Sequence, residues 1–404
     1  MKLLRVFSAA LFVALFATSV WAGPQVSVKP LIEKLKDKGL LYDDEVKAIE
    51  KDKKNNVEIG GRLHVQYRSE GKDTDKKAAS AHSAQTTGFV VKRVTIELKA
   101  TVSDLAYFQI EPEFGGSTGW SKLNDAFIGF VPADNLSVFV GQKKVPFSWE
   151  ELTSSKNLSF VDSGYASQVG IGRQVGTEVE FFGPDKLFAV NAGVYNGYLD
   201  ASAFGYKQTA KQRLFTNANV SGNDNGGGNL VAARLELHPF GYVKKGYENF
   251  DGATSFALGI SYYTSDDKNN TAVTSTSTST ANLTTGAIST ATTNAFWVLG
   301  SSAAGVDVNF RTGGLELSGE YAQRKFKYAY NAANGALASA TEDSVDQTAL
   351  QAALTYLVTD KLAVGARYDS FDYGDSNKLS NGGPVKAKKD TATTFGVSYY
   401  FKKH

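Results

Sequence analysis

The sequence predicts an all-β chain, an antiparallel β-barrel that crosses a membrane with strands. Three observations carry this. Apolar residues recur on every second position through one segment after another. Short turns alternate with long polar connections. After the leader, no stretch approaches the roughly 18 apolar residues that a spanning helix needs. Composition agrees: 404 residues hold 39 Gly, 25 Phe, 19 Tyr, 8 Pro and no Cys, with a mean hydropathy of −0.24. A chain that is neither hydrophobic overall nor stapled by disulfides, yet rich in aromatics, suits a barrel. There, apolar side chains are needed only on alternate positions and aromatic girdles mark both interfaces.

Residues 1–22 read as a secretory signal. Lys2 and Arg5 form its charged region, Val6 to Val20 its apolar run, and Val20-Trp21-Ala22 a small-residue cleavage site before Gly23. The other reading, a membrane anchor, needs a longer apolar run than about fifteen residues. Removing residues 1–22 leaves 41 basic against 41 acidic residues, where the whole chain carries +2. That balance argues against nucleic acid as a partner and gives no global bias toward anions. Residues 23–56 form a second region. Leu31, Ile32, Leu35, Leu40, Leu41, Val46 and Ile49 have helical spacing, broken at Gly39, with Asp43 as an N-cap. We expect a short periplasmic helical segment here, or a tethered arm.

The barrel is expected over 57–404. In the first segment Ile59, Leu63, Val65 and Tyr67 alternate with Glu58, Arg62, His64, Gln66 and Arg68. A pleat sends the two sets to opposite faces. Val94, Ile96 and Leu98 oppose Arg93, Thr95, Glu97 and Lys99, and Phe108 and Ile110 oppose Gln109, Glu111 and Glu113. Later, Val231, Leu235 and Leu237 oppose Arg234, Glu236 and His238, and Val306, Val308 and Phe310 oppose Asp307, Asn309 and Arg311. Leu317 and Tyr321 oppose Glu316, Glu320 and Arg324, and Val364, Ala366 and Tyr368 oppose Arg367 and Asp369. Apolar outward and polar inward is the arrangement of a water-filled barrel in lipid. About fourteen such segments can be counted, and barrels of this kind have an even number. Phe395, Val397, Tyr399 and Phe401 keep the alternation up to Lys402-Lys403-His404.

One stretch breaks the rhythm. Ala126, Ile128, Phe130 and then Leu136, Val138, Val140 alternate around the tight turn at Pro132–Asn135. From about 144 to 173 the alternation stops. A long insertion amid regular strands is usually functional, and we expect it to fold into the barrel mouth and narrow it.

The same stretch carries a resemblance. Leu123-x-Asp125-Ala126-Phe127-Ile128, Val140-Gly141-Gln142-Lys143 and Pro146-Phe147-Ser148-x-Glu150-x-Leu152-Thr153-Ser154-Ser155 resemble the phosphate-selective porin O and P family. Upstream it includes Gly60-Gly61-Arg62-Leu63 and Val91-Lys92-Arg93-Val94. Downstream it includes Gly172-Arg173-x-x-Gly176 and Gly193-Val194-Tyr195-Asn196-Gly197. It covers about 60 to 200 well, and its specificity lies in the order and spacing of the pieces. The resemblance implies a sixteen-stranded porin in the bacterial outer membrane, a homotrimer in contact with lipid, and small anions such as phosphate as solutes.

A phosphate filter requires clustered cations, because Arg binds phosphate bidentately and Lys as a point charge. The best cluster is Arg62, Arg93, Lys143 and Lys144 on early strands with Arg173 where the inserted loop returns. The resemblance places these near the constriction. The plainer reading is an ion-pair network in which Asp125, Glu150 and Glu151 pin the loop. No catalysis, metal or cofactor is expected: the four histidines (His64, His82, His238, His404) sit in no Ser/His/Asp or metal spacing. Two functions stay open, a channel for passive diffusion of small hydrophilic solutes and a structural or adhesive barrel with little conductance.

Overall fold

A computed structural model describes residues 57–68, 88–114, 122–196, 229–246, 252–266, 272–275, 294–331, 341–372, 374, 376–380, 383–385 and 389–400. The expected signal peptide, the helical segment 23–56 and most of the long polar connections lie outside these residues. Two compact units can be distinguished. Among the described residues one runs up to Phe130 and the other begins at Val131.

In the first unit β1 (Val57–Arg68), β2 (Gly88–Ser103), β3 (Ala106–Glu113) and most of β4 (Lys122–Ala133) form an antiparallel meander. Register is set by pattern: Ile59 lies opposite Leu98 and Leu63 opposite Val94, so the aliphatic sets share a face. That face is bare, with Ile59 73% exposed. On the other face Thr95, Glu111, Glu113 and Asn124 are buried. Asp104-Leu105 turns β2 into β3, and the Leu105 N–H donates to Ser103 Oγ at 3.2 Å.

The second unit continues in the same way through β5 (Leu136–Lys144), β6 (Arg173–Phe182), β7 (Phe188–Tyr195), β8 (Leu230–Leu237) and β9 (Ser255–Asp266). The four-residue β10 (Ala272–Ser275) lies beside the start of β11 (Asn294–Thr312). Then come β12 (Leu315–Asn331), β13 (Thr341–Leu357) and β14 (Leu362–Asp372), and a separate hairpin of β15 (Ser376–Ser380) and β16 (Gly383–Val385). The last strand is β17 (Lys389–Tyr399), paired with β14. From β5 to β9, from β9 to β11 and from there to β14, each strand pairs with its chain neighbour. The described residues thus contain fourteen strands of eight residues or more and three short ones. Sixteen full strands are not reproduced among them.

Turn chemistry explains the close connections. β11 and β12 are joined by Gly313-Gly314, both at positive φ (+53° and +83°). Such a two-residue hairpin turn matches strand twist only when both central residues sit in that region, which glycine occupies without strain. Side-chain alternation is cleanest in β8, where Val231 is 47% exposed and Arg234 1%. The same split recurs along β11 to β14: Val306, Val308, Leu317, Tyr321, Leu354 and Val364 are exposed. Asp307, Asn309, Glu316, Glu320, Arg324 and Arg367 are buried. Among the described residues no helix is long and apolar enough to cross a membrane. The greasy face of the strands is the outer one, as a lipid solvent requires.

Candidate functional site

Between β5 and β6 the chain leaves the wall from Val145 to Gly172 and lies as a strap across the polar face of the second unit. Its one α-helical turn, α1 (Trp149–Leu152), starts at Ser148, whose side chain is the N-cap. Ser148 Oγ accepts from the Glu151 N–H at 3.1 Å. The turn stops at Thr153, whose N–H and Oγ1 both donate to the Trp149 carbonyl (3.0 and 2.8 Å). A 3₁₀ turn at Tyr165–Val169 carries the chain back toward β6.

Apolar burial seats both halves of the strap. Val145, Phe147, Ala166 and Val169 are buried against Tyr195, Leu230, Ala232, Tyr263, Ala303, Ala322, Ala349 and Phe371. The small residues among these, all on a wall otherwise lined with charges, leave room for the strap's larger side chains. Phe147 meets Tyr263 edge-on at 5.1 Å, and a Cβ at Gly305 would come 3.1 Å from its ring. Phe160 rests on the cross-strand pair Gly365–Gly396, where an added Cβ at either would meet its ring at 3.2 Å. The Arg367 guanidinium lies over that ring, 4.8 Å from its centre.

Polar ties complete the seating. Glu150, only 3% exposed, accepts from the Gly164 N–H at 3.0 Å and from Gln351 Nε2 at 2.8 Å, and pairs with Arg367 at 3.6 Å. Its own N–H donates to Glu320 at 3.2 Å. Arg367 also holds Asp369 (2.7 Å) and donates to the Asp162 carbonyl (2.8 Å), while the Tyr165 N–H donates to Asp369 Oδ1 (3.1 Å). Arg324 donates to the Gln168 carbonyl (3.2 Å) and Tyr263 Oη to the Val169 carbonyl (2.9 Å). Burial pushes the Tyr165 phenol above its ordinary pKa; the charges of Asp390 and Asp369 push the same way, against Arg367. An adjacent group of wall charges is just as completely paired. Arg234 forks onto Asp307 (2.6 and 2.8 Å) and reaches Glu236 (2.6 Å) and Ser261 (2.7 Å).

The candidate filter cations fall in both units. In the first, Arg62 donates to Thr95 Oγ1 at 3.0 Å and pairs with Glu111, and Arg93 pairs with Glu113 at 3.4 Å. Asn124 Nδ2 joins the two acids, at 3.1 Å from Glu111 and 2.8 Å from Glu113. Asp125 lies half-buried on β4 in this unit. In the second unit Lys143 pairs with Glu178 at 2.7 Å and sits 3.8 Å over the Phe139 ring. Lys144 donates to the carbonyls of Glu151 and Thr153, the latter at 3.0 Å. Arg173 is its cross-strand partner. Lys143, Lys144, Arg173 and Glu151 therefore gather at the strap's root, whereas Glu150 is carried to β13 and β14.

Strand parity puts Glu320, Arg324, Arg367 and Asp369 on the inner face. It does not show that they hold the strap. Four of those ties end on backbone N–H or carbonyl groups, which leave no mark in a sequence. The glycine seat under Phe160 was legible only as two glycines on separate strands.

Aliphatic side chains toward lipid, paired charges inside and a long strap lying across the polar face define an outer-membrane β-barrel of the porin class. Within that class, the chain belongs to the phosphate-selective porin O and P family, whose model matches residues 57–404. An uncharacterized protein of Aquifex aeolicus (strain VF5) is 22% identical over 239 residues, which cover 53% of this chain. The match spans 55% of that relative's own length. Among solved structures, outer-membrane expressed OmpT of Vibrio cholerae aligns at 13% identity and a TM-score of 0.36, covering 86% of this chain and 98% of that one. The outer membrane channel DcaP of Acinetobacter baumannii aligns at 13% identity and a TM-score of 0.35, covering 85% and 97%.

Proposed function

We propose that the protein is an outer-membrane diffusion channel for small hydrophilic solutes, with at most a mild preference for anions such as phosphate. One observation carries this reading: the cations best placed to filter anions are already engaged. Arg62, Arg93 and Lys143 each face a carboxylate, and Lys144 is spent on strap carbonyls. A cation neutralised in this way projects little net field into a water-filled pore, so its contribution to selectivity is small. Phosphate then passes as one small anion among several. No catalytic step is needed, and the functional unit is taken to be the homotrimer that the family resemblance implies.

Planar-bilayer recordings test the proposal. The expected result is ohmic conductance with a chloride-to-potassium permeability ratio within about threefold of unity. Block of chloride current by micromolar phosphate would show a dedicated phosphate site and overturn the weak-selectivity reading; a cation-selective pore would overturn the anion preference. A second reading, a barrel with little conductance, draws support from the amount of strap buried across the inner face; absence of current in the same recordings would establish it.

A further inference from the structure

We propose that the segment His238–Gly246 is a second constriction element, a latch that enters from the short-turn end of the barrel and closes on the strap through Lys245. This rests on the channel reading above. The other connections at that end are short: Gly183–Leu187, Gly313-Gly314 and Val358–Lys361. Residues His238–Gly246, which follow β8, instead fold inward. The His238 N–H donates to the Leu187 carbonyl at 2.7 Å, and its Nδ1 accepts from the Val243 N–H at 3.4 Å. These bonds aim Val243 inward, where it is buried with Trp149 of the strap and Ala257 of β9.

Lys245 makes the closing contact. Its Nζ lies 2.6 Å from Glu236 Oε1 and 5.3 Å from the Trp149 ring centre, so it touches wall and strap together. Gly246 follows at φ +149°, and a Cβ there would lie 3.3 Å from Asn157 Cβ of the strap. Arg311 adds a bond to the Lys244 carbonyl at 3.3 Å.

The two halves of this collar are tied differently. The strap is held by Glu150 and Arg367, both buried. The Lys245 side chain is 23% exposed, and the carboxylate it holds keeps Arg234 at 2.6 Å when Lys245 leaves. A partly wet ion pair whose acid has a second, fully buried cation can break without stranding a charge; a buried pair cannot. The strap is therefore the fixed half and His238–Gly246 the releasable half.

The chain contains no cysteine, so Val243→Cys gives a single probe. Its labelling by a water-soluble thiol reagent should be slow in the folded protein, about tenfold faster with Lys245→Glu, and slow again with Lys245→Arg. Lys245→Ala, which cannot repel Glu236, should give a smaller change in the same direction. Single-channel conductance of Lys245→Glu, in protein shown to be folded by its gel mobility before heating, should rise by about twofold. Equal labelling rates in all four backgrounds, or unchanged conductance of Lys245→Glu in a conducting protein, would overturn the latch. If no variant conducts but the labelling rates respond as stated, the latch stands and the channel reading fails.

Discussion

Glu150→Ala is the sharpest test of how the strap is held. The substitution leaves two buried donors without acceptors, the Gly164 N–H and Gln351 Nε2, which now reach the carboxylate at 3.0 and 2.8 Å. Each orphaned buried donor costs about 1–3 kcal/mol. Arg367 loses one partner at 3.6 Å but keeps Asp369 at 2.7 Å and the Asp162 carbonyl at 2.8 Å, so its charge is not abandoned. The full penalty of a broken buried pair, about 3–5 kcal/mol, is therefore not added on top. The sum is about 4 kcal/mol against docking, or roughly a thousandfold shift toward the undocked strap at 1.4 kcal/mol per decade. Hydrogen exchange in micelles reads this directly: the amides of Gly164 and Tyr165 should lose about three decades of protection, while β11 to β13 amides stay unchanged. Glu150→Gln, which keeps an acceptor, should lose about one decade. If Glu150→Ala leaves Gly164 and Tyr165 as protected as before, apolar packing of Val145, Phe147, Ala166 and Val169 suffices alone and the reasoning fails.

Three further outcomes are expected. Gly396→Val brings new carbon onto the Phe160 ring, which an added Cβ would already meet at 3.2 Å; such overpacking costs about 1–3 kcal/mol, so noise in bilayer current should rise and Phe160→Ala should reproduce it. Changing Lys143 and Arg173 together to Glu should lower the anion-to-cation permeability ratio severalfold, because the reversal leaves Glu178 without its lysine and adds new carboxylates, turning a balanced cluster into a net negative one; unchanged reversal potentials would place this cluster outside the conducting path. Val308→Lys on the lipid face should destabilise the barrel by about 2–4 kcal/mol, read as a lower urea midpoint in vesicles, and an unshifted midpoint would contradict the face assignment.

Faces were legible because a pleat has a fixed period. Val231 and Leu235 against Arg234 and Glu236 can be assigned from the letters alone, and the structure places them so. Strand number was harder, since polar connections such as Asp266–Asn294 hide the short pairing of β10 with β11. The strap's partners were out of reach for a different reason. Glu150 meets Gln351 across 201 positions and Asp162 meets Arg367 across 205, and nothing local to either residue points to the other. The stretch Pro239-Phe240-Gly241 carries ordinary turn punctuation; only the buried Val243 five residues beyond His238 separates it from a surface turn.

Those sequence separations also bear on biogenesis. Glu150, Tyr165 and Gln168 take their partners from β12 to β14, so the strap docks only when those strands and the β5–β6 pair belong to one wall. Loop closure over such distances is entropically slow. Before those strands pair, Glu150, Tyr165 and Gln168 lack these long-range partners and are left to water. Seating the strap is thus a long-range event, in which water on its carboxylates and amides is exchanged for partners more than 150 residues away.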